Sequence, residues 1–396
     1  MLPPIYDTAG QLATIYRTDG TIASGNGSGG GEPADPPPIY EWPRRMQVAT
    51  FGRAGQTGLS LPRTSTSSHT VQVASSGLSF GYINEGAGDT GGAVRYAATA
   101  SINGSTPIPL TWGGAADALL PHGGYVESDP LSIATAEGDT IEVTTTVTSE
   151  GGTEILTMDD IHWPIRVLGL VETPNPAVMV LGSSTADGAG DEEVGGIVVR
   201  GFDGTGVPWT NMAWGGASSG KPPWNSDSEL LRVRITADHA HTHALVQLGD
   251  NHASLGANRF FTAQLALWNR LRDHGYTVAQ MTLKPQTDST DGWTTLEGQT
   301  PRFPGFTTAV NGWLRDGAPV RNGIPVDPGS DRASRAGDLG HPLHAIVDGG
   351  ALVEHEDSEL FRVDLGPLST DGIHMTPEGH ALMAESITAW AQALTV

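Results

Sequence analysis

The chain has 396 residues, of which 21 are Lys or Arg and 44 are Asp or Glu, a formal net charge of −23 at pH 7. So acidic a chain lacks the basic face that non-specific contact with nucleic acid or an anionic membrane requires. It contains no cysteine, which excludes a disulfide framework, a thiolate metal site and a cysteine nucleophile. At roughly 100–200 residues per domain the length suggests two domains or three. No apolar run reaches the ~18 residues that span a bilayer. Of the basic residues only Lys221 and Lys284 are lysine. Codon bias in a G- and C-rich genome explains this, and an acidic, Lys-poor surface also resembles halophilic adaptation.

The first residues, MLPPIYDTAGQ, have neither a basic n-region nor an apolar h-region, so no signal peptide is expected. The compartment stays open, with extracellular and virion-associated locations both compatible. IYDTAGQLAT is echoed by IYRTDGTIAS, with Gly10 matching Gly20, and each unit reads as a short strand closing on a turn. Two copies are too few for a solenoid. From Gly25 to Pro38 glycine makes the first half flexible and proline makes the second half extended. Residues 1–38 are therefore read as a tail and linker. They are either a plain disordered tail or a tether to a larger assembly.

Residues 39–172 carry a β pattern. Val71-Gln72-Val73, Leu78 to Ile83 and Ile141 to Val147 alternate or are β-branched, with Gly, Asn, Asp and Pro clusters between them. No amphipathic helix is visible. A β-sandwich of jelly-roll type is expected.

Residues 173–396 alternate strands with helices. Ala177 to Leu181, Ala244 to Leu248 and Thr277 to Leu283 are apolar runs of the kind buried parallel strands need. Between the last two, from Asn258 to His274, Phe261, Leu265, Trp268 and Leu271 recur at helical spacing, with Arg259, Arg270 and Arg272 outside that face. Thr376-Pro377-Glu378 opens a final helix with a capping hydroxyl, a first-turn proline and an acidic residue. Its apolar positions are Ala381, Met383, Ile387 and Trp390. This alternation predicts a three-layer α/β/α domain with a parallel sheet, whose ligands sit at the carboxyl ends of the strands.

Unusual residues follow those ends. Gly182-Ser183-Ser184 comes after the first strand, where a serine on a tight turn presents its hydroxyl. Taken alone, it is more often only a turn. The block Asn211 to Gly220 is glycine-rich, which frees backbone N–H groups or simply makes a flexible loop. Gly249-Asp250-Asn251-His252 follows the second strand, and an asparagine there can donate its amide to an oxyanion. Asp371 and His374 stand three apart before the last helix, where a carboxylate can fix the imidazole tautomer.

This ordered set resembles the SGNH/GDSL hydrolases, serine esterases and lipases, over about Val178 to the end. The resemblance implies a flavodoxin-like fold and ester hydrolysis through an acyl-enzyme. It implies Ser184 as nucleophile, His374 as base and Asp371 as its orienting carboxylate. The N–H groups of Ser184 and Gly216 and the amide of Asn251 are implied as the oxyanion hole, with Gly215 and Gly220 as alternatives to Gly216. It implies no cofactor and no metal. Two positions depart from the family's pattern: Ser183 replaces an aspartate, and His252 replaces the last residue of the asparagine block. Both bear on efficiency more than on reaction type. The PLTWGG and HGGYVESDPLSI segments resemble an N-terminal module of some actinobacterial members.

The expected substrate is a small molecule or glycan ester with a short acyl group, acetyl first, because no apolar lid helix for long acyl chains is visible. A reading from another class is a non-catalytic or weakly active glycan-binding or structural protein, such as a phage-tail or surface component, on a degenerate scaffold. Ser183 favours it. Intact Ser184, Asn251, Asp371 and His374 argue against it. His239, His241 and His243 alternate as zinc ligands on a strand can, yet no neighbouring carboxylate completes a set, and the preferred reading is polar residues at a strand entrance. Trp112, Trp163, Trp209 and Trp214 could stack on sugar rings or belong to cores.

Overall fold

The computed structural model describes residues 5–6, 12–13, 42–50, 62–84, 93–121, 124–149, 164–191, 195–213, 215–219, 240–356 and 358–394. The expected linker, Gly25 to Pro38, lies outside them. In the tail, Ile5–Tyr6 pairs with Leu12–Ala13.

The β region forms two antiparallel sheets. Its strands are β1 (Arg44–Gln47), β2 (Arg63–Thr70), β3 (Ser75–Asn84), β4 (Val94–Ile102), β5 (Ile108–Pro109), β6 (Ala118–Leu120), β7 (Gly124–Glu127), β8 (Leu131–Thr135), β9 (Thr140–Ser149) and β10 (Arg166–Val171). One sheet has the order β8-β3-β10-β1, with β7 also on β3, and the other has β2-β9-β4-β5, with β6 also on β4. Alternation along the strands sends one set of side chains inward. Phe80, Tyr82 and Val167 from the first sheet meet Tyr96, Ile141 and Val143 from the second in one apolar cluster. On the outer face Thr64 pairs with Thr146, and Thr66 with Thr144, through their hydroxyls.

The expected strand at Val71-Gln72-Val73 is not one. Val71 makes only an isolated bridge, with Ala49. The chain is crossing between the sheets there. The N–H of Val71 goes to Asp139, while those of Gln72 and Val73 both go to Val48.

The second region holds a parallel five-stranded sheet. Its strands are β11 (Val178–Gly182), β12 (Trp209–Asn211), β13 (His243–Gln247), β14 (Thr277–Met281) and, after a hairpin of β15 (Thr287–Ser289) and β16 (Gln299–Pro301), β17 (Ala345–Val347). The spatial order is β12-β11-β13-β14-β17 with every pair parallel, the 2-1-3-4-5 order of flavodoxin-like sheets. Along β11, Val178 and Val180 point to one apolar cluster and Met179 and Leu181 to another. Both faces are buried, so the strand is apolar without a break. Helices α3 (Ala257–Asp273) and α4 (Phe306–Arg315) cover the Met179 side, and α2 (Gly196–Phe202), the one-turn α5 (Gly350–Val353) and α6 (Pro377–Ala393) cover the Val178 side. These are three layers, α/β/α. Among the described residues no helix is long and apolar enough to cross a membrane.

Two expected helix faces shift. On α3 it is Phe260 that is fully buried, edge-on to His252, while Phe261 is half-buried against Trp313. On α6 Ala381 is exposed and Ala384 takes the buried position. The expected cap is present: the Thr376 hydroxyl accepts from the Gly379 N–H, and proline occupies the first turn.

Residues 172–177 join β10 to β11, and the regions touch. The Gln47 N–H donates to the Ala240 carbonyl at 2.9 Å, and the Gln47 amide to that of Trp209 at 3.4 Å. Ile83 and Ile165 of the β region, 2% and 1% exposed, join the apolar cluster of Met179 and Leu181.

Candidate active site

Because β11, β12, β13, β14 and β17 run parallel, their carboxyl ends share one edge of the sheet. Strand order reverses at β11, so the crevice between the ends of β11 and β13 is where such sheets bind ligands. Ser183 leaves β11 extended, and Ser184 opens the one-turn helix α1 (Ser184–Asp187). Burial separates the two serines. Ser183 is fully buried, and its N–H donates to the Gln247 carbonyl at 3.2 Å. Ser184 is half-buried, and its hydroxyl has no protein partner among the described residues.

Asp371 and His374 meet as the spacing predicts. His374 Nδ1 donates to Asp371 Oδ2 at 2.7 Å, which leaves Nε2 without a protein partner among the described residues. Asp371 Oδ1 accepts from the N–H groups of Ile373 at 2.8 Å and His374 at 2.7 Å. Partial burial alone would raise the Asp371 carboxyl. The two N–H bonds, the imidazole bond and the His374 charge outweigh it and hold the group below the usual carboxylate range. The loop between them is fixed by contact. Gly372 has φ +77°, and a Cβ there would lie 1.7 Å from the Thr287 carbonyl oxygen on β15. Only glycine fits that approach. Arg302 donates to the Asp371 carbonyl at 2.8 Å and to Asp288 at 2.8 Å, so the hairpin braces the pair.

The turn after Ser184 leads directly to this pair. The Ala189 N–H donates to the Ser184 carbonyl at 2.9 Å. At the next residue, Gly190 (φ +93°), a Cβ would stand 2.1 Å from the Met375 carbonyl oxygen and 3.5 Å from His374 Cβ. From α6 the buried His380 donates Nε2–H to the Ala189 carbonyl at 2.9 Å. Burial lowers the His380 pKa and keeps the ring neutral.

The glycine block lies on the other side. The Asn211 amide donates to the Ala186 carbonyl at 2.8 Å, and its oxygen accepts from the Ala213 N–H at 3.0 Å, which ties the block to α1. Gly215 and Gly216 are exposed, and a Cβ on either would meet nothing within 4 Å. The exposed Asn251 donates Nδ2–H to the carbonyl of Ala217, next to Gly216, at 2.9 Å. One amide hydrogen of Asn251 remains for a ligand. Trp214 and Gly220 lie outside the described residues.

His239 also lies outside the described residues. His241 is buried with Nε2 on the Thr210 hydroxyl at 3.0 Å, and His243 meets Thr242 and the Trp390 ring. Burial, and next the neighbouring His344, push His243 down to about 4. Among the described residues no group of three or more His, Cys, Asp or Glu could hold a metal ion. Trp112 and Trp209 are core residues, the latter stacked on Phe202. Trp163 is outside the described set.

Sequence reasoning passed over a second layer of residues. Asp250 is buried beside Asn251 and accepts from the Thr185 hydroxyl at 2.9 Å and the Gln247 amide at 3.0 Å. Lys284 follows β14 and is fully buried, with Nζ 3.8 Å from Asp250 Oδ2. The available signal was a lysine ending the apolar run Thr277 to Leu283, in a chain with only one other. Arg302 carried no such signal, because its bond to the site goes to a backbone carbonyl distant in sequence.

No family model matches the chain, and no curated protein matches it. The chain is similar to an active-site mutant of a family two carbohydrate esterase from Clostridium thermocellum at 14% identity and TM-score 0.36, covering 89% of this chain and 98% of that one. It is similar to a putative lipolytic protein of the G-D-S-L family from Desulfitobacterium hafniense at 13% identity and TM-score 0.37, covering 54% and 99%. A GDSL-like lipase from Bacteroides thetaiotaomicron matches at 14% identity and TM-score 0.35, covering 55% and 88%. Overlap this loose assigns no residue and no substrate.

Proposed function

We propose that the protein is a serine esterase that cleaves short acyl esters, acetyl esters first, on a small molecule or a glycan. The observation that carries this reading is the Asp371–His374 pair, bonded at 2.7 Å with Nε2 unpartnered among the described residues, against the turn that follows Ser184. In this reading Ser184 Oγ attacks the acyl carbon and its proton passes to His374 Nε2. Asp371 holds Nδ1–H and stabilises the imidazolium. The tetrahedral oxyanion takes hydrogen bonds from the Ser184 and Gly216 N–H groups and the second amide hydrogen of Asn251. Collapse expels the alcohol, which takes the proton from Nε2. Water then attacks the acyl-enzyme with His374 again as base, releasing the acid and restoring Ser184. No cofactor enters any step.

The substrate preference rests on charge and shape. A net charge of −23 repels anionic substrates. Among the described residues a Cβ at Gly215 or Gly216 meets nothing within 4 Å, so this exposed stretch offers room for a small ligand. The β region, read as a jelly-roll-like sandwich, is proposed to cover the flank of the α/β domain through Ile83 and Ile165. Hydrolysis of p-nitrophenyl acetate by the wild type but not by Ser184→Ala is the expected result. A wild type that is inert, and unlabelled by a serine-directed phosphonate, would instead favour a binding or structural protein.

A further inference from the structure

Beneath the turn that bears Ser184 lies a buried ion pair with unusually poor bonding. Asp250 and Lys284 have side-chain exposures of 4% and 0%. Their closest approach, 3.8 Å, is too long for a hydrogen bond. Lys284 Nζ and Asp250 Oδ1 are both buried without a hydrogen-bond partner. A buried charge pair adds stability only when geometry is good and the remaining polar atoms are bonded, and these conditions are not met. Its position explains its presence better than stability does.

Asp250 Oδ2 accepts from Thr185 at 2.9 Å and from Gln247 at 3.0 Å, and the Ser183 hydroxyl lies at 3.4 Å. Thr185 and Ser183 are the two neighbours of Ser184. The residue after Asp250 is Asn251. The Asp250 carbonyl accepts from the Gln286 amide at 2.9 Å, two residues beyond Lys284. Asp250 therefore joins the carboxyl ends of β11 and β13 through its carboxylate, and reaches the segment after β14 through its backbone carbonyl and the approach of Lys284. Lys284 supplies the only opposite charge that faces it among the described residues.

We propose that Asp250 and Lys284 act together as positioning residues, the carboxylate fixing the Ser184 turn through Thr185 and setting the turn of Asn251, and the buried ammonium holding the carboxylate in place. This rests on the reading of Ser184 as a nucleophile. Neither residue touches the reacting atoms, so the effect should appear in kcat and in the reactivity of Ser184, not in KM.

The test compares wild type, Asp250→Asn, Lys284→Met and the double variant in the full chain. It measures kcat and KM on p-nitrophenyl acetate, the rate of phosphonate labelling at Ser184, and the folded fraction by circular dichroism. Each single change is expected to lower kcat and labelling by about tenfold or more per folded molecule, with KM within about threefold. The double variant carries no uncompensated charge and keeps an acceptor for Thr185, so it should recover to within about threefold of wild type. Should the single variants not fold, Thr185→Val removes only the hydroxyl bond to Asp250 and should still lower kcat by about threefold or more at unchanged Tm. Single variants with wild-type kcat, losses that multiply in the double variant, or a fully active Thr185→Val each overturn the proposal while leaving the esterase reading intact. A wild type that is neither active nor labelled overturns both.

Discussion

The two regions bury polar atoms in different ways. In the β region His69 is fully enclosed, yet Nδ1 donates to the Thr50 carbonyl at 3.0 Å and Nε2 accepts from Ser67 at 2.9 Å. The buried Ser75 and Thr135 hydroxyls pair with each other at 3.0 Å. In the α/β region Ser218 Oγ, Asp250 Oδ1, Lys284 Nζ and His380 Nδ1 are buried without partners, all at or beneath the carboxyl edge of the sheet. The β region has buried side-chain atoms of this kind too, Trp112 Nε1 among them. Unpaired buried groups cost free energy, and in the reading proposed above those near Ser184 are where the fold would give up stability for chemistry.

The sharpest way to break this contrast is at Ser184. Ser184→Ala should lower kcat/KM by about 10⁴–10⁶-fold, whereas Ser183→Ala, at a fully buried hydroxyl with long contacts, should keep most activity. Phosphonate labelling of Ser183 would show that the wrong serine has been chosen. Next comes Asp371→Asn, expected to lower the rate by about 10²–10⁴-fold with the fold intact. In the wild type, kcat/KM should fall on the acid side with a single ionisation, because only a neutral imidazole accepts the serine proton. A His374→Ala variant with wild-type kcat/KM would remove His374 from its role.

Smaller effects test how the regions depend on each other. Ile165→Ala should cost about 2–5 kcal/mol, since the side chain is 1% exposed in the cluster that Met179 and Leu181 share. For the same reason an isolated 173–396 fragment should be poorly soluble or less active. If it is soluble, monomeric and fully active, the β region is an independent domain. Within the β region, burial pushes His69 down to about 4 from 6.5. Its neutral form is stabilised above pH 6.5, and that stability is lost as pH falls from about 6.5 to about 4, where the unfolded chain binds the proton first. Urea titrations at pH 7 and 4.5 should show His69 contributing up to about 3 kcal/mol of the difference, reduced in His69→Gln. The smallest expected effect is none at all: EDTA should leave kcat unchanged. A loss restored by zinc would return His239, His241 and His243 to consideration as ligands.

Legibility followed the physics of each element. The apolar runs that became β11, β13 and β14 were readable because a strand buried on both faces tolerates few polar residues. The α6 cap was readable because Thr376 and Pro377 act locally. Phe260 was missed in favour of Phe261 because α3 packs on His252 and Phe306 as well as on Trp313, which widens its buried face. Val71 to Val73 misled because β-branched residues also suit a crossing between sheets. Ser184, Asp371 and His374 stood out by type and order. Asp250 and Lys284 did not, because their meaning lies in a contact between segments 34 residues apart.

The double burial of β11 has a consequence for motion. Its backbone is bonded to β12 on one side and β13 on the other, and apolar clusters close both faces. Amides in such a place exchange with solvent only when the whole domain opens, so those of Met179 and Val180 should be among the slowest in the chain. A serine mounted at the end of that strand does not loosen by local fraying. Warming the protein should therefore leave Ser184 in register until the α/β domain unfolds as a unit.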